Sequence, residues 1–533
     1  MHRQRALLLA AATITALSSG TNYVFSAYAP QLAARCRLSS TQLNLIGIAG
    51  NLGVYTSGPL WGIFIDRHGP RGVLCWAAIL ILVGYGGIRA IYLSTPSSPG
   101  RASTVVWLCV CSLLTGYAAS AGLNASMSTV ARSFPVHQRA TASGITLAGF
   151  GLSAFLFSSI AHGVFPGRTE AFLGLLAGGT ACGMVVGVLG VRPVSCEDVS
   201  YEAVSSTTVE AYTDGRDPEA RMTALALTPS RSRSADRVTL LTDIEANDDG
   251  DDDDNDNDTD PKEPLAQVHV LPAEEITGKA LLASLDFWLI VVFLTLRNGC
   301  GLLYINNVGT VVLALFNASK EVQADPFEVA RVQATQVSVV SVWNCLGRIS
   351  MGVASDYAKT RWGVGRVWFT LFIALLFLTS QIAVQTTHDV ANLATVSGLL
   401  GLAYGNLFAL LPIVVLEWFG LANFSMNWGI VSLAPGLGGN IANLIFGRVY
   451  DSNVKQAVET TLLTRTFRLL TRGGIPADPT DHTHDCTLGT DCYAAAFRIT
   501  TVWCVLALVV GAWLVLRQER KTRRRREQVC QML

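Results

Sequence analysis

Gly62, Asp66, Arg67, Gly69 and Arg71 stand together in the stretch GIFIDRHGPR, between two long apolar segments. One acid and two cations at the margin of such segments are suited to ion pairs that form and break as helix ends move. A second group lies deeper: Arg297 and Asn298 lead through GCG to Asn306 and Asn307. A guanidinium there suits two-pronged contact with an anion. Asn344 and Arg348 are four residues apart in NCLGRISMG, which puts them on one helical face. Cys486 and Cys492 form a fourth group, just after His482 and His484. A disulfide suits the pair on a non-cytosolic face. DHTHDC is rich in histidine, but its spacing fits no structural zinc pattern, so no metal is expected. The chain has no phosphate loop, so ATP does not drive it directly. No Ser–His–Asp constellation has a common location. No catalytic residue, enzyme activity or cofactor is expected, and nothing points to nucleic acid.

The elements that must hold these groups follow from composition. Half of the 533 residues are hydrophobic and only 15% are charged, against about 25% in a soluble globular protein. Apolar runs of about 18–25 residues recur, each long enough to cross a bilayer. They fall at 6–29, 42–64, 72–93, 104–127, 138–165, 170–191, 285–315, 330–355, 366–385, 391–417, 425–448 and 495–516. Backbone polar groups in lipid must be satisfied within each segment, so these are helices. The 48 glycines suit close helix packing, whereas a β-barrel would show short alternating segments. The fold class is thus an all-α membrane protein with twelve transmembrane helices in two groups of six, 1–191 and 281–516. Arg3 and Arg5 before LLLAAATITAL resemble the start of a signal peptide. The apolar run continues through GTNYVFSAYAP, too far for one, and a retained helix is expected.

Orientation is read from Lys and Arg in short loops. The tail 517–533 carries Arg517, Arg520, Lys521 and Arg523–Arg526, which places both termini in the cytosol. Arg67, Arg71, Arg132, Arg139, Lys359, Arg361 and Arg366 fall on the same side, while Arg35 and Arg37 dissent. Segment 192–280 contains DDGDDDDNDNDTD and little that could form a core. It reads as a disordered acidic cytosolic linker, either merely solvated or weakly binding a basic partner or calcium. Within it, DRVTLL at 236–241 has the form that sorting adaptors read. Segment 451–494 reads as a non-cytosolic loop. Asn317 heads a glycosylation sequon on that side, whereas Asn257 and Asn423 face the cytosol.

The halves echo each other. GIFID at 62–66 matches GVASD at 352–356, Phe134 and Gly144 match Phe419 and Gly429, and Gly20 and Tyr23 match Gly301 and Tyr304. Three landmarks in order at drifting offsets indicate a duplicated six-helix unit.

GIFIDRHGPR resembles the glycine–aspartate–arginine motif of the major facilitator superfamily, in the loop between the second and third helices. SGTNYVFSAYAPQL, GVYTSGPLWG and CTLGTDCYAAAF are similar to the nodulin-like group, closest to the fungal monocarboxylate-transporter homologues, vacuolar carriers. The resemblance implies a gate: Gly62 permits close helix contact, Asp66 pairs with the partner half, and Arg67 and Arg71 hold neighbouring helix ends. The second copy, Gly352 and Asp356, is followed by Tyr357, which argues against a symmetric latch. Glu417 reads as a further latch acid. Proton-coupled monocarboxylate carriers resemble the Arg348 stretch but have an acid where Asn344 stands, and the first helix here has no lysine.

Arg297 lies eleven residues past Asp286, about 16 Å along a helix and so near mid-bilayer. Ionisable groups there are costly and face a cavity or a partner. With Asn298, a glycine-broken helix, Asn306 and Asn307, it is the first candidate for substrate contact. The other reading pairs it with carbonyls. Arg348 either contacts substrate with Asn344 or anchors its helix end. The whole describes a secondary active or facilitative carrier of a small solute by alternating access. An organic anion such as a monocarboxylate leads, and an amino acid or other small metabolite follows. A non-transporting sensor signalling through the acidic insert is the alternative of another class. A vacuolar membrane is favoured over the plasma membrane.

Overall fold

A computed structural model describes residues 2–38, 40–94, 102–165, 168–194, 275–318, 326–472, 486 and 488–532. The acidic tract, the 236–241 motif, Asn257, Ser319, His482 and His484 lie outside them. Met1–Cys196 and Glu275–Leu533 make up one compact unit.

Among the described residues all regular structure is helical. Eleven helices are long and apolar enough to cross a membrane. A twelfth crossing joins Ser40–Thr56 to Gly58–His68, each too short alone. Only Ser57 interrupts it, and the helical ladder runs on through Ser57 N–H to Gly53 and Trp61 N–H to Ser57. In chain order the crossings are span 1 (His2–Ser19, continued by a 3-10 turn Gly20–Ala27), span 2 (40–68), span 3 (Pro70–Leu93), span 4 (Ala102–Ser133), span 5 (Arg139–Gly163) and span 6 (Thr169–Gly190). Span 7 (Leu285–Ala318), span 8 (Pro326–Trp362), span 9 (Phe369–Thr386), span 10 (Leu393–Phe419), span 11 (Phe424–Val431 and Leu433–Arg472) and span 12 (Ala494–Met532) follow.

Each half has its own core. One cluster is drawn from Leu8 to Val191; the other runs from Leu281 to Val515, joined by Met127, Ala131 and Leu147 of the first half. Both ends of the chain lie at one face. Gly187 and Gly190 at the end of span 6 pack on Thr15 and Ala11 of span 1. Asp286 at the start of span 7 pairs with Arg517 and Lys521 of span 12. Gly69 ends span 2 with φ +80°, a left-handed conformation that glycine adopts without strain, and Pro70 opens span 3.

Two sequence expectations need correction. Residues 451–472 are not loop but the continuation of span 11. DSNVKQAVETTLLTRTFRLLTR contains no proline or glycine, so nothing stops the helix before Gly473. The tail 517–532 likewise prolongs span 12.

Candidate functional site

The two halves meet closely where span 2 crosses the start of span 11. A Cβ on Gly62 would stand 2.3 Å from the Ser425 carbonyl oxygen, so only glycine allows this approach. Asp66, one turn on, accepts hydrogen bonds from the backbone N–H of Met426 (2.8 Å) and Ser425 (3.3 Å). It thereby serves the free N–H groups at the start of helix Phe424–Val431, where a negative charge is favoured. Arg132, at the end of span 4, pairs with Asp66 and also donates to the Ala422 carbonyl at 3.1 Å. The Ser128 and Ser425 hydroxyls lie 2.6 Å apart across the same seam. Arg67 and Arg71 are exposed, and the expectation that they hold neighbouring helix ends is not met among the described residues. Arg132, sixty-six residues away, supplies the cation instead.

The second copy, degraded in sequence, is complete in space. Gly352 abuts span 5, where an added Cβ would meet the Ala140 carbonyl oxygen at 2.5 Å. Asp356 accepts from the Thr141 N–H and hydroxyl (2.7 Å each) and from the Ala140 N–H (3.3 Å). Asp356 therefore caps span 5 as Asp66 caps span 11, and the argument against a symmetric latch is overturned. The partner helix is gripped mainly by its backbone, with the Thr141 hydroxyl added, so the residues after the acid are free to vary. Arg366, 1% exposed, pairs with both Asp356 and Glu417 and donates to the Val136 carbonyl at 2.8 Å. Lys359 completes the cluster on Glu417 at 2.7 Å.

Arg348 lies one turn deeper than Gly352. Its Nε donates to Asn344 Oδ1 (3.1 Å), and Nη1 donates across the halves to the Leu147 carbonyl (2.6 Å). Its guanidinium sits 5.5 Å from the Phe150 ring and 5.7 Å from that of Phe408, within cation–π range. Tyr23, in hydrogen-bonding reach of Tyr55, and Tyr404 are close enough to act electrostatically on it. Tyr404 in turn donates to Asn298 Oδ1 at 2.8 Å. A cation with three tyrosines and two phenylalanines drawn from both halves thus forms one cluster at the seam, buried at Arg348 and Tyr404. Among the described residues, the hydrogen bonds between halves run from the terminal face to Arg348 and include the latches above. Arg348 stands at the inner end of this set of contacts.

Arg297 is elsewhere. It is fully buried, and its guanidinium donates to the carbonyls of Ala374 (3.4 Å), Trp503 (3.2 Å) and Cys504. The rings of Phe293 and Phe377 flank it at 5.9 and 5.5 Å. All these partners belong to spans 7, 9 and 12 of one half, so Arg297 ties that bundle together and its assignment to substrate is corrected. Asn298 donates to the Pro435 carbonyl (2.8 Å), binding spans 7, 10 and 11. Asn307 bonds to Leu303 and Asn443, and Asn306 is exposed. Nor is span 7 broken at GCG: Leu285–Ala318 is one helix, and Gly299 and Gly301 pack against Trp503 and Tyr404. The irregular first-half counterpart is the 3-10 turn Gly20–Ala27.

Sequence reasoning put Arg348 and Asn344 together, but missed Tyr55, Phe150, Tyr404 and Phe408. Aromatics in an apolar helix carry no mark of the face they occupy. Cys486 and Cys492 are joined by a disulfide, with Cα atoms 6.0 Å apart. Asn317 lies in the last helical turn of span 7, half-buried.

Residues 5–211 match the family described as Nodulin-like. Over 96% of this chain and 89% of its own length, the probable transporter mch1 of Neurospora crassa is 26% identical. The proton:xylose symporter XylE, a major facilitator superfamily protein, superposes with a TM-score of 0.57 over 96% of both chains at 13% identity. The fold is that of the major facilitator superfamily. A second solved structure, the human organic anion transporter MFSD10, gives a TM-score of 0.52 at 12% identity, covering 96% of this chain and 99% of its own. The resemblance of this multi-pass membrane protein to the nodulin-like group of that superfamily, read from its motifs, is borne out.

Proposed function

We propose that the protein is a membrane transporter that carries a small organic anion by alternating access, with Arg348 holding the anionic group. One observation carries the substrate class: Arg348 is a cation at the seam between the halves, while Arg297 is committed within one bundle. A carboxylate entering from the face away from the termini would meet the guanidinium fork and the hydroxyls of Tyr23 and Tyr55. The two glycine–aspartate latches close the terminal face behind it; their release opens that face. Names of the similar proteins, a probable transporter and an organic anion transporter, support the reading. In this reading both termini are cytosolic, the basic end of span 12 remaining on the positive side of the charge asymmetry. The membrane is that of a vacuole.

The test is uptake of radiolabelled small anions and amino acids into vesicles holding the purified chain. Arg348→Ala is expected to reduce anion uptake at least ~100-fold, the loss of a charge-assisted two-pronged contact. Selective uptake of a neutral or cationic solute instead would reject the substrate class.

A further inference from the structure

Building on the assignment of Arg348 to substrate, we propose that the protein is an obligate anion exchanger: the loaded carrier changes face readily and the empty one does not. The argument is one of charge. Every partner of Arg348 described above is neutral: the Asn344 amide oxygen, the Leu147 carbonyl and the faces of Phe150 and Phe408. The acids nearest the seam have partners of their own: Glu275 accepts from the Leu421 and Ala422 N–H groups at 3.0 Å, and the others hold cations. Asp66 holds Arg132, Asp356 holds Arg366, and Glu417 holds Arg366 and Lys359. The empty site therefore carries one uncompensated positive charge.

That charge matters most during the change of face. Leu147 belongs to the first half and Arg348 to the second, so their hydrogen bond belongs to the set that must break when the terminal face opens. Between the two open states lies an occluded one, in which neither the Leu147 carbonyl nor bulk water serves the guanidinium. A lone buried charge without a partner is heavily penalised. An anion removes the penalty by accepting both prongs of the fork. Return of the carrier then requires an anion from the other side, and one anion enters for each that leaves.

The test uses the full chain in liposomes with radiolabelled pyruvate, lactate, acetate and benzoate outside. The liposomes are either empty or preloaded with the same unlabelled anion. Uptake into preloaded liposomes should be at least ~10-fold faster, the scale of a modest unpaired-charge penalty. Asn344→Asp puts a carboxylate where the amide oxygen meets Arg348, supplying the missing counter-charge. It should raise uptake into empty liposomes and shrink the difference to within about threefold. Equal wild-type rates into empty and preloaded liposomes, with Arg348→Ala inactive, overturn exchange but leave Arg348 as the substrate group. A folded Asn344→Asp protein that keeps the full difference overturns the charge argument. Transport of none of the four anions by folded protein removes the anion site and exchange together.

Discussion

Arg297 and Arg348 are the same residue type, both buried in spans that sequence marks only as apolar, and their partners assign them opposite work. Arg297 meets three carbonyls and two rings of its own bundle; Arg348 meets the other half. Arg297→Met keeps much of the side-chain bulk and removes the charge and its hydrogen bonds. It is expected to destabilise the fold by about 1–3 kcal/mol, read as a lowered Tm in detergent, with the KM of the surviving protein unchanged. A raised KM at unaltered Tm would return Arg297 to the substrate. The i, i+4 spacing of Asn344 and Arg348 was legible in sequence, because one helix fixes it. Which way Arg297 points was not. Span 7 is apolar nearly all round, and such a helix gives no periodicity to name its facing partner.

At the scale of elements, glycine and aspartate one turn apart form a device that grips its partner chiefly through backbone. Gly62 lets span 2 reach the Ser425 carbonyl, and Asp66 then caps the helix that follows. The same pair recurs at Gly352 and Asp356 against span 5. Gly62→Ala inserts a Cβ into a 2.3 Å gap against rigid backbone. It should disfavour the closed terminal gate by about 1–3 kcal/mol. A thiol probe placed on the terminal side of the seam should react faster in this variant; unchanged labelling would show that closure does not depend on the glycine. The helices themselves were legible, since lipid requires every backbone group to be satisfied within its segment. Their ends were harder to place, because spans 11 and 12 run on into polar sequence where hydropathy stops reporting. The strength of the second latch was hidden for another reason. Tyr357 breaks the motif, but the contact runs through main-chain N–H groups that no motif records.

For the whole molecule, on the proposed function, the paired latches hold one end of a rocking cycle. Ser128 and Ser425 face each other across the seam with hydroxyls 2.6 Å apart. Replacing both with cysteine should allow an oxidative cross-link that fixes the terminal face shut. Uptake is expected to fall to background on oxidation and to recover with reductant. Full uptake by cross-linked protein would show that the seam need not open. The duplicated plan was legible from its recurring landmarks, yet no repeat unit states which face is shut.

Span 12 does not stop at the membrane. Residues 517–532 prolong it by sixteen residues, about 24 Å of helix, and Asp286 clasps its root through Arg517 and Lys521. Such an overhang is a lever arm whose tip magnifies any tilt of the bundle that bears it. In the proposed cycle, a spin label at Glu527 would therefore register a swing of the second half from beyond the apolar spans, while leaving every contact of the latches untouched.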